Sequence, residues 1–111
     1  MEEKTLYENI FVPSVMTGKV GPLYLGPNIR TAAVKVTNMK VTVNCFLFFP
    51  VIKIALQDIA KIEQCKAVLF GENTAVKIFN KNGDVISFIF YTPEPATEFK
   101  QAVEMALKQN P

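Results

Sequence analysis

Apolar and polar side chains alternate on both sides of Asn38-Met39. With those two residues as the loop, Val36 faces Val41, Val34 faces Val43 and Ala32 faces Cys45. The alternate positions match Thr37 with Lys40, Lys35 with Thr42 and Ala33 with Asn44. One face is apolar and the other polar or small, and this period-two agreement on both arms predicts a β-hairpin. Asn38 suits the turn because asparagine tolerates positive φ. A second hairpin is predicted around Lys81-Asn82-Gly83, with Gly83 in the left-handed conformation. It pairs Ile78 with Ile86 and Val76 with Phe88 as core positions. Its other face carries Lys77 with Ser87, but also Phe79 with Val85 and Ala75 with Ile89. That outer face is more apolar than contact with water explains, so it predicts cover by another segment or another subunit.

Between the hairpins, Val51 to Leu56 reads as a strand with Ile52, Ile54 and Leu56 on one side, set off by Pro50 from a strand ending near Phe49. A bend is expected at Gln57-Asp58; Ile59 and Ile62 then extend the apolar set. A further apolar run from Cys65 to Phe70 closes at Gly71-Glu72-Asn73. Near the start, Gly18, Gly21, Pro22, Gly26 and Pro27 punctuate the chain and leave Val20 to Leu25 as a first strand. The end is a helix. Thr92 can cap it, Pro93 suits its first position, and Pro95 is still in the first turn. Phe99, Ala102, Val103, Ala106 and Leu107 form an apolar stripe at helical spacing. The predicted fold class is mainly β with one C-terminal α-helix, a partly open antiparallel barrel capped by that helix. Residues 1–18 are read as an N-terminal segment and 19–111 as the domain.

A chain of 111 residues, half of them apolar, fits one domain with a real core. No run reaches the ~20 apolar residues of a membrane-spanning helix. The acidic start Met1-Glu2-Glu3-Lys4 has no apolar run behind it, so a cytoplasmic protein is expected. Cys45 and Cys65 are the only cysteines and histidine is absent. A zinc site lacks its remaining N or S ligands, and the two thiols read as buried and reduced. Without histidine, Ser-His and Cys-His nucleophile chemistry is excluded.

Charge changes the picture. From Asn9 to Gln57 there is no carboxylate, while Lys19, Arg30, Lys35, Lys40 and Lys53 fall in that stretch. Such one-sided charge favours anionic partners. By strand parity Lys35, Lys40 and Lys53 share the outside of one sheet, which makes them the candidate anionic-ligand residues. The same parity sends Phe46 and Phe48 outward, so the candidate interface comprises Phe46, Phe48, Phe79, Val85 and Ile89.

The hairpin Val34-Lys35-Val36-Thr37-Asn38-Met39-Lys40-Val41-Thr42-Val43 resembles the strand–LTN–strand hairpin of bacterial pleckstrin-homology (PH) and GRAM-type domains. Ile54-Ala55-Leu56-Gln57-Asp58-Ile59-Ala60-Lys61-Ile62-Glu63 is similar to the IPL-x-DI-x-SIE stretch of the same family. Gly71, the hairpin at Asn82-Gly83 and the terminal helix follow in the family's order, so the resemblance covers roughly residues 19 to 109. It implies the PH-like superfold and a binding scaffold without catalysis. Eukaryotic PH domains usually carry a tryptophan in the terminal helix; here Phe99 or Val103 takes that place. Lys19, Arg30 and Lys35 do not match the spacing of the phosphoinositide signature.

Asp58, Glu63, Glu72 and Asp84 are scattered over bends and strand ends, and Gly18-Lys19-Val20-Gly21 lacks P-loop spacing. No enzyme activity and no cofactor are expected. The expected function is a binding or assembly module, acting by protein–protein contact or self-association as a homo-oligomer. The alternative is peripheral attachment to an anionic membrane surface through the lysine-bearing face. Nucleic acid is disfavoured, because the aromatics are mostly phenylalanine and Arg30 is the only arginine. A competing account of the apolar outer faces has the N-terminal segment, with Leu6, Tyr7, Ile10, Phe11 and Val12, folding over one of them.

Overall fold

The computed structural model describes residues 2–19, 28–45, 49–67 and 70–109. Among them are seven strands: β1 (Thr5–Lys19), β2 (Asn28–Thr37), β3 (Lys40–Cys45), β4 (Phe49–Ala55), β5 (Ile59–Ala67), β6 (Gly71–Asn80) and β7 (Asp84–Ile89). A 3₁₀ turn, Leu56–Asp58, joins β4 to β5, and one helix, α1 (Pro93–Gln109), follows β7. The strands form one antiparallel sheet in the order β4-β3-β2-β1-β7-β6-β5, whose edge strands β4 and β5 are not paired with each other.

Both hairpins adopt the expected register. Val36 pairs with Val41, Val34 with Val43 and Ala32 with Cys45. Ile78 pairs with Ile86, Val76 with Phe88, Phe79 with Val85 and Ala75 with Ile89. Gly83 has φ 96°, the left-handed conformation that its loop requires. The first turn is built differently from expectation, because Asn38 does not have positive φ. Thr37 Oγ1 accepts hydrogen bonds from the N–H groups of Met39 and Lys40, each at 3.1 Å, and closes the turn from its own side chain. The Asn38 amide is thereby freed for another task. Its Oδ1 accepts from Lys4 N–H at 2.7 Å and its Nδ2 donates to the Glu2 carbonyl at 3.0 Å. Both Thr37 and Asn38 are buried.

The strand that joins the two halves of the sheet is β1. It pairs with β2 from Thr5 to Met16 and with β7 from Ser14 to Lys19. Between Asn9 and Val12 its register slips against β2, so β1 carries a bulge at Ile10-Phe11. Val12 and Val15 are fully buried, and Leu6 and Tyr7 pack against the core. The N-terminal residues therefore enter the sheet between β2 and β7 instead of lying over an outer face. The stretch from Val20 to Leu25, expected as a first strand, lies outside the described residues. Pro50 does not separate two strands; it lies within β4, opposite Asn44 beside a register slip. An edge strand tolerates this, since one side of its backbone has no ladder to satisfy. Gly71-Glu72-Asn73 likewise opens β6 instead of closing a run.

Inward-facing residues of both halves meet in one core with Ala96, Phe99, Ala102, Val103 and Ala106 of α1. Phe99 fills its centre, with ring centroids 4.6 Å from Phe88 and 5.5 Å from Phe90. The helix thus closes the open sheet as the apolar stripe predicts.

Candidate functional site

Two outward faces carry the candidate residues, one on each side of β1. On the β1–β4 side, Lys35 of β2 pairs with Thr42 of β3, and Thr42 pairs with Lys53 of β4. Lys35 and Lys53 are exposed and stand in one row across three strands. Strand spacing sets their backbone positions roughly 10 Å apart, with Thr42 between them. Lys40 belongs to the same face of β3, but its ammonium lies 3.8 Å from the Glu3 carboxylate. Thr37 also donates to that carboxylate, at 2.7 Å. On β1, Glu8 pairs in register with Lys35. The carboxylate-free stretch of the sequence is therefore not carboxylate-free in space: the N-terminal acids sit beside two of the three candidate lysines, Lys40 and Lys35. Exposed pairs of this kind contribute only ~0–1 kcal/mol, yet they lower the positive potential that an anion would meet.

On the β5–β7 side, register places three rows across the strands. Val85, Phe79 and Lys61 form one; Ser87, Lys77 and Glu63 the next; Ile89, Ala75 and Cys65 the third. Phe79, Val85 and Ile89 are half-exposed, and the Lys61 ammonium lies 4.7 Å from the Phe79 ring centroid. Ala75 and Ser87 are buried although they face outward. Cys65 is half-buried on this face, which corrects the expectation of a buried thiol. The side chain of Cys45 and the candidate interface residues Phe46 and Phe48 lie outside what is described.

Three further aromatics are exposed: Phe70 and Tyr91, which the sequence did not mark as surface residues, and Phe11, which was expected to fold over an outer face. Phe11 is 65% exposed, Tyr91 61% and Phe70 36%. The last described pair of the β1–β7 ladder at this end is Ser14–Ile89, so Phe11 and Tyr91 flank its open end. The Phe70 and Tyr91 rings meet edge-on with centroids 5.9 Å apart. The run Ile10-Phe11-Val12 held a signal, since three consecutive apolar residues cannot all face inward from a strand.

Tyr7 ties β1 to the start of the helix. Its hydroxyl donates to the Pro95 carbonyl at 3.2 Å and accepts from Asn9 Nδ2 at 3.1 Å. Asn9 Oδ1 in turn accepts from Phe11 N–H at 2.9 Å, which holds the bulge. Burial pushes the Tyr7 phenol above its ordinary pKa; the Asn9 hydrogen bond opposes that shift and the Glu98 charge adds to it.

The scattered acids lie on four different elements, the 3₁₀ turn, β5, β6 and β7. Glu63 pairs with Lys61 at 3.2 Å and Glu72 with Lys66 at 3.9 Å. Asp84 accepts from Asn82 Nδ2 at 3.2 Å within its hairpin, and the Asp58 carbonyl accepts from Lys81 N–H at 2.8 Å. Among the described residues, no three His, Cys, Asp or Glu residues are grouped to hold a metal ion. No described helix is long and apolar enough to cross a membrane.

No protein-family model matches the chain, and no curated protein does. Solved structures do. The N-terminal PH domain of Vps36 superposes with TM-score 0.68 at 18% identity, over 96% of this chain and 80% of that one. The N-terminal PH domain of human ARAP2 gives TM-score 0.56 at 14% identity, over 85% and 79%. An inhibitor-bound structure of Vav1 gives TM-score 0.69 at 9% identity over 95% of this chain, which spans 27% of the Vav1 chain. Seven antiparallel strands in an open sheet, a helix plugging the core and these superpositions agree: the chain has the pleckstrin-homology-like fold.

Proposed function

We propose that the chain is a non-catalytic binding or assembly module that works by protein–protein contact or self-association through the outer face of its PH-like sheet. The observation that carries this reading is the half-exposed set Phe79, Val85 and Ile89 on adjacent strands β6 and β7. A contact over a few hundred Å² of such surface gains about 25 cal/mol per Å². Association entropy and side-chain ordering offset much of that, so a modest affinity is expected. The hairpin and the Ile54–Glu63 stretch favour the bacterial PH and GRAM-type branch of the superfold, and the acidic start without an apolar run favours a cytoplasmic setting. Light scattering over a concentration series tests the proposal. The mass of the unmodified chain should rise with concentration, and Phe79→Ser or Val85→Ser should lower it. A strictly monomeric mass at high micromolar concentration removes self-association and leaves contact with a different protein.

A second reading rests on the row of exposed Lys35 and Lys53: peripheral attachment to an anionic membrane. Vesicles with increasing anionic lipid should then co-sediment the chain, salt should release it, and Lys35→Glu/Lys53→Glu should abolish the effect. Equal sedimentation with neutral vesicles would count against it.

A further inference from the structure

Among the described strands, edge strand β5 has one neighbour, β6, and its charged residues Lys61, Glu63 and Lys66 are exposed. An edge with open backbone donors and acceptors templates a further strand unless charge or bulges prevent it. The register slips near Ala60 and Lys66 leave the segment from Lys61 to Cys65 regularly paired with β6. Within that segment Lys61 and Glu63 share the outer face and already form an ion pair at 3.2 Å. Ile62, between them, faces inward and packs on the core.

We propose that β5 pairs antiparallel with β5 of a second copy of this chain about a two-fold axis at Ile62. This rests on the self-association reading and names its seam. In that register Lys61 lies opposite Glu63 of the second copy, and Glu63 opposite its Lys61. The four side chains make a square in which every adjacent pair is of opposite sign and like charges lie on the diagonals. The existing ion pair is kept and two cross-strand pairs are added. Moving the axis by one residue to Glu63 sets the two Glu63 carboxylates against each other. Face parity forbids the half-residue shifts, since they would oppose an inward side chain to an outward one. A neutral strand gains none of these pairs, and a uniformly charged one is repelled. Charge complementarity therefore selects the chain's own copy in one register, as an isologous contact requires. The bulges at both ends keep the seam short, so the dimer is weak. Lys61 also covers Phe79, so the seam continues the apolar row of the outer face.

Charge reversal tests this with the full chain. Lys61→Glu or Glu63→Lys alone places like charges opposite each other and should weaken dimerisation about tenfold. The double variant Lys61→Glu/Glu63→Lys restores the square and should recover wild-type association. Raised salt should weaken the wild-type dimer, because these pairs are exposed. Oxidation of a mixture of Lys61→Cys and Glu63→Cys chains, each in a Cys65→Ser background, should give a covalent heterodimer that keeps one Glu63–Lys61 cross-strand pair, whereas Lys61→Cys alone in that background should not. Circular dichroism checks that each variant folds. A wild-type chain that stays monomeric overturns both this seam and self-association. A dimer indifferent to all three charge variants, yet weakened by Val85→Ser, overturns the seam and leaves the outer-face reading standing.

Discussion

The ring of Tyr7, on β1, meets the ring of Phe99, on α1, edge-on with centroids 5.7 Å apart. One contact thus joins the first strand to the terminal helix, 92 positions apart in a chain of 111 residues. Edge-on packing suits the quadrupoles of both rings, and the Tyr7 hydroxyl at the rim keeps its hydrogen bond to Pro95. Phe99 is fully buried and is shared by β1, the end of β7 and α1. Removing it opens a cavity that cannot collapse without moving all three.

Phe99→Ala should therefore cost ~3–5 kcal/mol of stability. At roughly 4–8 °C per kcal/mol for a domain of this size, thermal melting should move by more than ten degrees. A variant that melts like the wild type would remove Phe99 from the centre of the core.

The raised pKa of Tyr7 makes a prediction at alkaline pH. Folding favours the protonated phenol, so the unfolded chain loses that proton first as pH rises. The stabilisation is complete below the ordinary phenol pKa of about 10 and is lost as pH climbs through the higher folded value. Urea midpoints should therefore fall above pH 10. Tyr7→Phe should flatten that fall while costing about 0.5–1.5 kcal/mol at neutral pH through the lost hydrogen bonds. Equal alkaline slopes in both proteins would show that Tyr7 is not the group responsible.

Asn38 holds the N-terminal residues through two side-chain hydrogen bonds, and its own N–H donates to the Lys4 carbonyl at 3.1 Å. The amide works as an extra rung of the ladder, laid beyond the last β1–β2 pair. Asn38→Ala removes two part-buried hydrogen bonds to the backbone of Glu2 and Lys4, at about 0.5–1.5 kcal/mol each. Asn38→Asp keeps the acceptor but loses the donor, and should cost less than alanine only if Glu3 does not repel the new charge. Hydrogen exchange should show the Lys4 amide released in Asn38→Ala and the core strands still protected. Uniform loss of protection would instead mean global destabilisation.

The two hairpins were legible because each is local and has one wet face: a strict alternation on both arms determines the register without further information. β1 was not legible, for physical reasons. It serves both halves of the sheet, so its inward positions change partner along its length. The bulge at Ile10-Phe11 resets parity, and Tyr7, Val12 and Val15 follow no period of two. Pro13 adds a residue that argues against a strand when it is met in sequence alone. The lysine face was legible in the same measure as the hairpin that carries it. The acids that share it were not, since Glu3 comes within 3.8 Å of Lys40, and Glu8 into register with Lys35, only once β1 is placed. The exposed Phe70–Tyr91 ring pair was hidden for a like cause: it forms where strand pairing ends, and no local pattern marks such an end.

Cys65 offers a last test, of the outer face itself. The apolar run from Cys65 to Phe70 suggested a buried thiol, inert until unfolding. In the fold, Cys65 pairs with Ala75 on the outward side of an edge strand and is half-buried. A small neighbour cannot overhang it, and the adjacent outward residues along β5 are Glu63 on one side and a register slip on the other. A thiol-reactive reagent should therefore label Cys65 in the native protein. The rate should be slower than for an unfolded chain but independent of added sub-denaturing urea, because no opening of the core is needed. Comparison with Cys65→Ser assigns the labelled site. A rate that climbs with urea in step with unfolding would place Cys65 under cover, and would require a further segment over the β5–β7 face.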